Sequence, residues 1–151
     1  SNLSGKDFTV MDGESKILPH VFEISMGIDR SLYSIFEHSS KYENQRFLLS
    51  LKPYLSPFHI AIFPLVNKNN LPELAYNIYE DLKLDFNAFY DESGSIGRRY
   101  RRQDQVGTPF CITVDFETLE SETVTLRNRD SMEQIRIPIK DIKAKLQNIK
   151  L

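Results

Sequence analysis

The densest concentration of positive charge in the sequence is an arginine cluster, Gly97–Arg102, which holds four arginines within five residues. Ser93–Ser95 precedes it, so we expect the cluster to lie near the N-terminus of a helix. Helix N-termini attract phosphate, and arginine adds charge and a flat stacking surface. Spacing alone nevertheless favours a solvated helix face, whose arginines pair with Asp91, Glu92 and Asp104.

Two further candidates lie at the end of a predicted strand. In open α/β sheets, ligands bind outside the carboxyl ends of the strands. Phe116 would suit stacking on an unpaired base, and Thr113 could hydrogen-bond a base edge. From the sequence alone, placing Phe116 in the hydrophobic core is the simpler interpretation.

A third group surrounds Gly27. Glu23, Ser25 and Arg30 supply a carboxylate, a hydroxyl and a guanidinium, which could together hold a nucleotide with Mg²⁺. Such residues more often cap helices or lie on the surface. The sequence holds no nucleophile-elbow, zincin, EF-hand or P-loop motif, and we interpret the Asp91–Glu92 pair as a turn rather than an acid–base pair.

The bulk composition limits the classes of protein. The chain has 151 residues, 40% of them hydrophobic and 26% charged, which is typical of one globular domain with a short appendage. The net charge of -2 means that any RNA contact must come from a local patch. The chain has one cysteine, which excludes an internal disulfide. The three histidines and that cysteine are scattered and do not have the spacing of zinc ligands. We predict no membrane span or secretory signal.

Periodicity and turn residues predict the elements that position these groups. A first part comprises a strand at Ile17–Ser25, a helix from an Asp29 cap to about His38, and a polar linker at Ser39–Gln45. The second part is expected to hold strands and helices in this order: a strand at Phe58–Phe63, a helix capped by Asn70 with Leu74, Ile78 and Leu82 on one face, a strand at Phe86–Tyr90, a helix at Ser95–Val106, a strand at Phe110–Phe116, strands at Thr123–Asn128 and Gln134–Ile139, and a helix with Ile142, Leu146 and Ile149.

This order, βαβαβββα, predicts the fold class. Crossover helices between the first three strands require parallel pairing with right-handed connections, and the later strands are expected to be antiparallel. The prediction is a three-layer α/β domain with a mixed, partly parallel sheet flanked by helices.

Several segments resemble one family. Pro19–Arg30 resembles motif 3 of class II aminoacyl-tRNA synthetases, in the form seen in homodimeric glycyl-tRNA synthetases. Segments that resemble the anticodon-binding domain of that family are Asp91–Tyr100, Gly107–Phe110, Thr113–Leu119 and Thr125–Met132. The resemblance covers nearly the whole chain and implies a C-terminal fragment. Residues 1–50 would be a strand–helix remnant of the catalytic domain with a linker, and residues 51–151 the anticodon-binding domain.

The resemblance also implies roles for individual residues. Arg30 would hold ATP phosphate, Glu23 would support ATP and its Mg²⁺, and Ser25 would contact glycine. The residues that would contact the two anticodon cytosines are Arg98, Thr113, Phe116 and Arg129. Family members often carry proline and an aromatic residue at the positions of Ile24 and Met26, next to the implied glycine contact.

The resemblance implies that the parent is a glycine–tRNA ligase. It would use ATP and Mg²⁺ to form glycyl-adenylate, charge tRNA, and act as a homodimer in the cytoplasm, with mitochondria as a second compartment. Motifs 1 and 2 are absent, so we expect no catalytic residue, no cofactor and no activity in this chain alone. Two alternatives stay open: a non-catalytic nucleic-acid or partner-binding module, and a small-ligand α/β protein that uses the strand ends near Asp91 and Phe116.

Overall fold

The computed structural model describes residues 5–43 and 45–148. The chain divides into two compact units, residues 1–32 and residues 33–151. No helix among the described residues is long and apolar enough to cross a membrane.

The first unit contains a small hairpin and the start of a helix. Strands β1 (Val10–Asp12) and β2 (Ser15–Ile17) pair antiparallel, and helix α1 (Ile28–Ser39) begins in this unit and continues into the second. The predicted helix is confirmed, although Asp29 lies in its first turn rather than at its cap.

The predicted strand at Ile17–Ser25 is wrong, because regular structure ends at Ile17 and residues 18–27 form neither strand nor helix. Val21 and Phe22 are 84% and 89% exposed. A strand needs a neighbour that accepts its backbone hydrogen bonds and covers its apolar face, and the described chain supplies none here.

A second hairpin follows α1 in the larger unit, where strand β3 (Ser40–Glu43) pairs antiparallel with β4 (Arg46–Leu49). The predicted linker at Ser39–Gln45 is therefore mostly an exposed strand. Leu48 and Leu49 are buried, which fastens the hairpin to the domain that follows. The larger compact unit thus begins upstream of residue 51.

The main sheet has five strands in the order β6-β5-β7-β8-β9. The first three in that order pair parallel and the remaining pairs are antiparallel, as predicted. The strands are β5 (Ile60–Pro64), β6 (Ala88–Tyr90), β7 (Phe110–Val114), β8 (Thr123–Asn128) and β9 (Gln134–Pro138). Both β5 and β7 are buried along their whole length, since helices cover both faces of the centre of the sheet.

Residues 45–148 contain four α-helices: α2 (Leu71–Leu82), α3 (Ile96–Val106), α4 (Phe116–Ser121) and α5 (Ile142–Gln147). Short 3₁₀ turns span Pro53–Leu55 and Ile139–Asp141. The two crossover helices were predicted closely, whereas α4 was not predicted. Asn70 occupies the predicted cap position with a φ of 60°, but its side chain makes no capping hydrogen bond. Ile149 lies outside the described residues.

The core confirms the three-layer arrangement. On one face of the sheet, Ile60, Ile62, Ile112 and Val114 pack with the apolar sides of α2 and α5. On the other face, alternate residues of the same strands pack beneath α3. The residues of that second cluster are Ala61, Phe63 and Cys111, with Phe89, Ile96 and Tyr100 against them.

Gly107 ends α3 in the left-handed conformation, with a φ of 91°, beside the chain that follows β4. An added Cβ would lie 2.9 Å from Leu51 Cδ1 and 3.0 Å from the Leu49 carbonyl oxygen. We expect Gly107→Ala to lower the free energy of unfolding by about 3 kcal/mol, because left-handed strain and overpacking add. Guanidinium chloride titration measures this loss.

Gly94→Ala is the matched control for this substitution. Gly94 also has a positive φ, 70°, but an added Cβ would meet only Arg98 Cδ, at 3.8 Å. We expect a loss of about 1 kcal/mol from backbone strain alone. Equal losses for the two variants would contradict the tight approach of Leu51 and Leu49 to Gly107.

Candidate nucleic-acid interface

The predicted site residues are arranged around one edge of the sheet. Strands β5, β6 and β7 are parallel, so their carboxyl ends share this edge, here called the carboxyl edge. Helix α3 begins at Ile96, in the loop that follows β6, and Phe116 follows the end of β7 by two residues. The first turn of α3 and Phe116 therefore share the edge at which open α/β sheets bind ligands.

Within the arginine cluster, Arg99 is buried and supports the carboxyl edge from inside. Its Nη2 donates to the carbonyl oxygens of Glu92 and Gly94, at 2.8 Å each, and its Nη1 donates to the carbonyl oxygen of Pro64. These bonds join the end of β5 to the loop before α3. The Arg99 guanidinium is thus used within the fold.

Arg102 confirms part of the solvated-face interpretation, because its Nη2 lies 2.5 Å from Asp91 Oδ2 and 2.8 Å from the Ser93 carbonyl oxygen. Burial acts to raise the pKa of Asp91, but hydrogen bonds from Arg102 and Ser93 outweigh it and hold that pKa below its usual value. Asp91 is therefore a paired anion. Asp104 pairs instead with Arg127 and Arg46.

Arg98 and Arg101 are the exposed members of the cluster. Neither forms an ion pair or a hydrogen bond through its side chain within residues 5–43 and 45–148. Gly97 lies beside them, and nothing lies within 4 Å of the position where its Cβ would be. Two guanidinium groups are therefore available to an anion next to open space at the start of α3.

Phe116 is 47% exposed, so its assignment to the hydrophobic core is wrong. Strand β7 ends at Val114 because Asp115 caps helix α4: Asp115 Oδ1 accepts a hydrogen bond from the Thr118 backbone nitrogen at 3.1 Å. Arg136 donates to both carboxylate oxygens of Asp115, at 2.6 and 2.9 Å. Arg136 also holds the pKa of Asp115 below its usual value. Phe116 is thus the first residue of a helix whose N-terminus is fixed by the Asp115 cap.

Thr113 lies at the same edge but is 6% exposed. Its Oγ1 lies 2.5 Å from the hydroxyl oxygen of Tyr100. The Tyr100 ring meets Phe63 edge-on, and the Arg127 guanidinium lies 4.8 Å from the ring centroid. Thr113 is therefore nearly buried at this edge, and its hydroxyl is held by Tyr100 of α3.

Arg129 does not join the other predicted contacts. It follows β8, whose last residue Asn128 pairs with Phe110 at the amino end of β7, opposite the carboxyl edge. The side chain is 2% exposed and donates to the carbonyl oxygens of Gly107 and Leu51, at 2.6 and 2.8 Å. In this conformation it offers no surface to RNA, and its observed role is to join the end of α3 to residue 51.

Three residues that shape the edge were not singled out from the sequence: Tyr100, Asp115 and Arg136. Asp115 was detectable, since an aspartate three residues before Thr118 matches a capping-box pattern. Arg136 was not, because its pairing with Asp115 depends on the register of β9 against β8.

The predicted ATP and glycine contacts lie in the smaller unit. Glu23 and Ser25 are exposed on the segment without regular structure, and Arg30 is exposed in the first turn of α1. Their chemistry fits a nucleotide phosphate and Mg²⁺, but an exposed segment supplies no enclosing walls. No group of three or more histidine, cysteine, aspartate or glutamate side chains among the described residues could hold a metal ion. These contacts stay predictions.

The sheet order and the helices on both of its faces define a class of three-layer α/β domain with a mixed sheet. Residues 59–149 match the family described as "Anticodon binding domain", and the chain belongs to that family. A similar solved structure is the RNA binding domain of threonyl-tRNA synthetase from Cryptosporidium parvum Iowa II. It has a TM-score of 0.60 and 19% identity, and the match covers 66% of this chain and 25% of that one.

Curated relatives narrow the class further, because they are glycine–tRNA ligases. The one from Methanococcus maripaludis strain C7 is 49% identical over 134 residues, or 88% of this chain and 23% of that protein. The one from Malacoplasma penetrans is 51% identical over 148 residues, covering 93% and 32%. The one from Rhodopirellula baltica is 44% identical over 156 residues, covering 96% and 29%. The chain thus spans less than a third of the length of these relatives.

The contrast between buried Arg129 and exposed Arg98 can be tested by stability. We expect Arg129→Met to lower the free energy of unfolding by about 3 kcal/mol, because the Leu51 carbonyl oxygen loses its donor, the Gly107 carbonyl oxygen keeps only Ser56 Oγ, and Asp130 loses its ion pair. Arg98→Met should stay within about 0.5 kcal/mol of the parent. Urea titrations of both variants measure the difference. Similar values for the two variants would show that Arg129 is not a structural residue.

Proposed function

We propose that this chain recognises the anticodon of glycine-specific tRNA, as part of a glycine–tRNA ligase. One observation carries the proposal: Arg98 and Arg101, which have no side-chain partner among the described residues, belong to the helix that begins at the carboxyl edge, and the ring of Phe116 is half-exposed at that edge. Flexible anticodon loops present phosphates and splayed bases, which guanidinium groups and aromatic rings bind. Membership of the anticodon-binding family and the glycine–tRNA ligase relatives support the choice of RNA.

The contacts divide by chemistry. Arg98 and Arg101 would bind phosphate, which gives affinity without sequence preference. Phe116 would stack on one cytosine, and the Thr113 hydroxyl would contact a base edge. Arg129 supports the loop at the opposite edge, and a direct contact with a cytosine would require its buried hydrogen bonds to open.

A net charge of -2 limits how this surface attracts RNA. The net charge of the chain does not attract a polyanion from a distance, so the exposed arginines act only at short range. We therefore expect modest affinity for an isolated anticodon stem–loop, and a strong dependence on salt.

The rest of the proposal concerns the parent enzyme. Arg30 would bind ATP phosphate, Glu23 would support Mg²⁺ through ATP, and Ser25 would contact glycine. ATP with Mg²⁺ would supply an adenylyl group to the glycine carboxylate, which gives glycyl-adenylate and releases pyrophosphate. Glycine would then pass to tRNA with release of AMP. We propose that the parent acts as a homodimer in the cytoplasm and that this chain alone catalyses neither step. Stabilising a phosphate transition state requires several converging charges, and this segment contributes few.

Binding of a glycine tRNA anticodon stem–loop tests the proposed RNA contacts. We expect Phe116→Ala to weaken binding roughly 10-fold, because stacking on one base is lost. Arg98→Ala should weaken binding of all stem–loops similarly and reduce the slope of log affinity against log salt by about 1. Fluorescence anisotropy at several salt concentrations measures both effects.

Matched controls exist for both substitutions. Leu119 lies on α4 with Phe116 and is 46% exposed, close to the exposed fraction of Phe116. Leu119→Ala therefore tests whether loss of any exposed apolar side chain on α4 weakens RNA binding. Lys140→Ala removes an exposed cation from the turn after β9. Unchanged affinity for Arg98→Ala and Phe116→Ala would remove these residues from the interface, and losses equal to those of the controls would do the same.

Adenylate formation tests the division between this chain and its parent. We expect no glycine-dependent exchange of pyrophosphate into ATP by residues 1–151, because the proposed ATP contacts lack the rest of a site. The ligase from Malacoplasma penetrans is a positive control. Measurable turnover by the chain alone would overturn this part of the proposal.

A further inference from the structure

Helix α4, which begins with Phe116, is too short to be stable by itself. It has six residues, whereas isolated helices shorter than about 12 residues are marginal in water. Asp115 caps its first turn, and Glu122 ends it in the left-handed conformation, with a φ of 52°. The position of the Phe116 ring therefore depends on what holds the two ends of α4.

One guanidinium is connected to both ends of this helix. At the start, Arg136 donates to the two carboxylate oxygens of the Asp115 cap, at 2.6 and 2.9 Å. At the end, Arg136 Nε donates to Thr123 Oγ1 at 2.8 Å, and that oxygen lies 2.6 Å from the hydroxyl oxygen of Ser121, the last residue of α4. Arg136 belongs to the edge strand β9, so it fastens both ends of α4 to the main sheet.

The Arg136 guanidinium has no N–H group left for RNA in this conformation. Arginine carries five N–H donors. Besides the bonds to Asp115 and to Thr123 Oγ1, Nη1 donates to Thr125 Oγ1 and Nη2 donates to the Thr123 carbonyl oxygen, at 3.3 Å each. The charge is paired as well, because Glu117 Oε1 lies 3.4 Å from Nε in addition to the contact with Asp115. Arg136 can therefore act on a ligand only through α4.

We propose that Arg136 is a positioning residue for RNA binding, which holds α4 so that the Phe116 ring is already in place to stack on a base. This inference rests on the proposed anticodon recognition and adds to it a residue that does not touch RNA. A ring on a loosened helix must be ordered when the base arrives, and that loss of entropy weakens binding. A ring that surrounding hydrogen bonds hold in advance avoids this cost.

Arg136→Met tests the proposal, because it removes the guanidinium and keeps an unbranched apolar side chain. The probe is the glycine tRNA anticodon stem–loop, followed by fluorescence anisotropy at several salt concentrations. We expect binding about 5-fold weaker, with an unchanged slope of log affinity against log salt, because no phosphate contact is lost. Arg136→Lys should bind as weakly as Arg136→Met, since lysine supplies the charge without the planar fork.

The effect of Arg136 must pass through Phe116. We expect Arg136→Met combined with Phe116→Ala to bind within about 2-fold of Phe116→Ala alone, because two residues that act through one contact are not additive. A second readout needs no RNA, since the chain contains no tryptophan and Phe116→Trp introduces a single indole. In that background, Arg136→Met should lower the anisotropy of the indole fluorescence, because the ring moves more freely.

Milder variants separate positioning from general damage. Thr123→Val removes the hydroxyl that connects Arg136 to Ser121, and it should weaken binding about 2-fold. Thr125→Val is its matched control, because it removes a bond from the same guanidinium that does not lead to α4, and it should leave affinity unchanged. Gly107→Ala destabilises the fold at the opposite edge of the sheet and should also leave affinity unchanged while the chain is folded.

The outcomes separate this inference from the proposed function. If the unsubstituted chain binds no stem–loop, anticodon recognition is refuted and the role of Arg136 falls with it. If that chain binds and Arg136→Met binds equally well, only the role of Arg136 is refuted. A smaller salt slope, additivity with Phe116→Ala, or full recovery in Arg136→Lys would also overturn the proposal. If Arg136→Met does not fold, Thr123→Val decides, and an affinity equal to that of Thr125→Val refutes the role.

Discussion

The buried Arg129 guanidinium is the interaction on which the arrangement of the larger unit depends. It bonds the carbonyl oxygens of Leu51 and Gly107 and the carboxylate of Asp130. These groups belong to the chain after the β3–β4 hairpin, the end of α3 and the loop after β8. A carbonyl left without a donor in the interior costs stability, so one guanidinium fixes three segments that are distant in sequence.

The arginines as a group show how a chain with a net charge of -2 keeps positive charge at its surface for the proposed RNA contact. Arg99, Arg127 and Arg129 are buried, and their guanidinium groups donate hydrogen bonds to carbonyl and carboxylate oxygens. Arg98 and Arg101 keep theirs at the surface. A count of charges along the sequence does not distinguish these two sets of arginines. In the fold, the buried arginines stabilise the structure and the surface arginines are available to a ligand.

This sorting shows what the sequence could predict. Apolar patterning predicted the five strands of the main sheet and the two crossover helices, because that patterning reflects burial on each face of the sheet. It did not predict the two small hairpins, whose strands are largely exposed. It could not place Arg129, whose burial depends on a glycine carbonyl 22 residues away in the chain. It extended β7 to Phe116, since the apolar run hid the Asp115 cap. It also predicted a strand at Ile17–Ser25, where Val21, Phe22 and Ile24 are apolar but no described neighbour pairs with the segment.

Physical continuity links the hairpin to the proposed base contact. Arg46, in β4, and Arg127, in β8, bond the same carboxylate, Asp104, at 2.9 Å each. Arg127 then covers the ring of Tyr100, whose hydroxyl bonds Thr113. Asp104 is nearly inaccessible, so losing either guanidinium leaves an under-compensated buried charge. The hairpin is therefore more than a connection between units, because its charge is part of the support that holds the Thr113 hydroxyl in place.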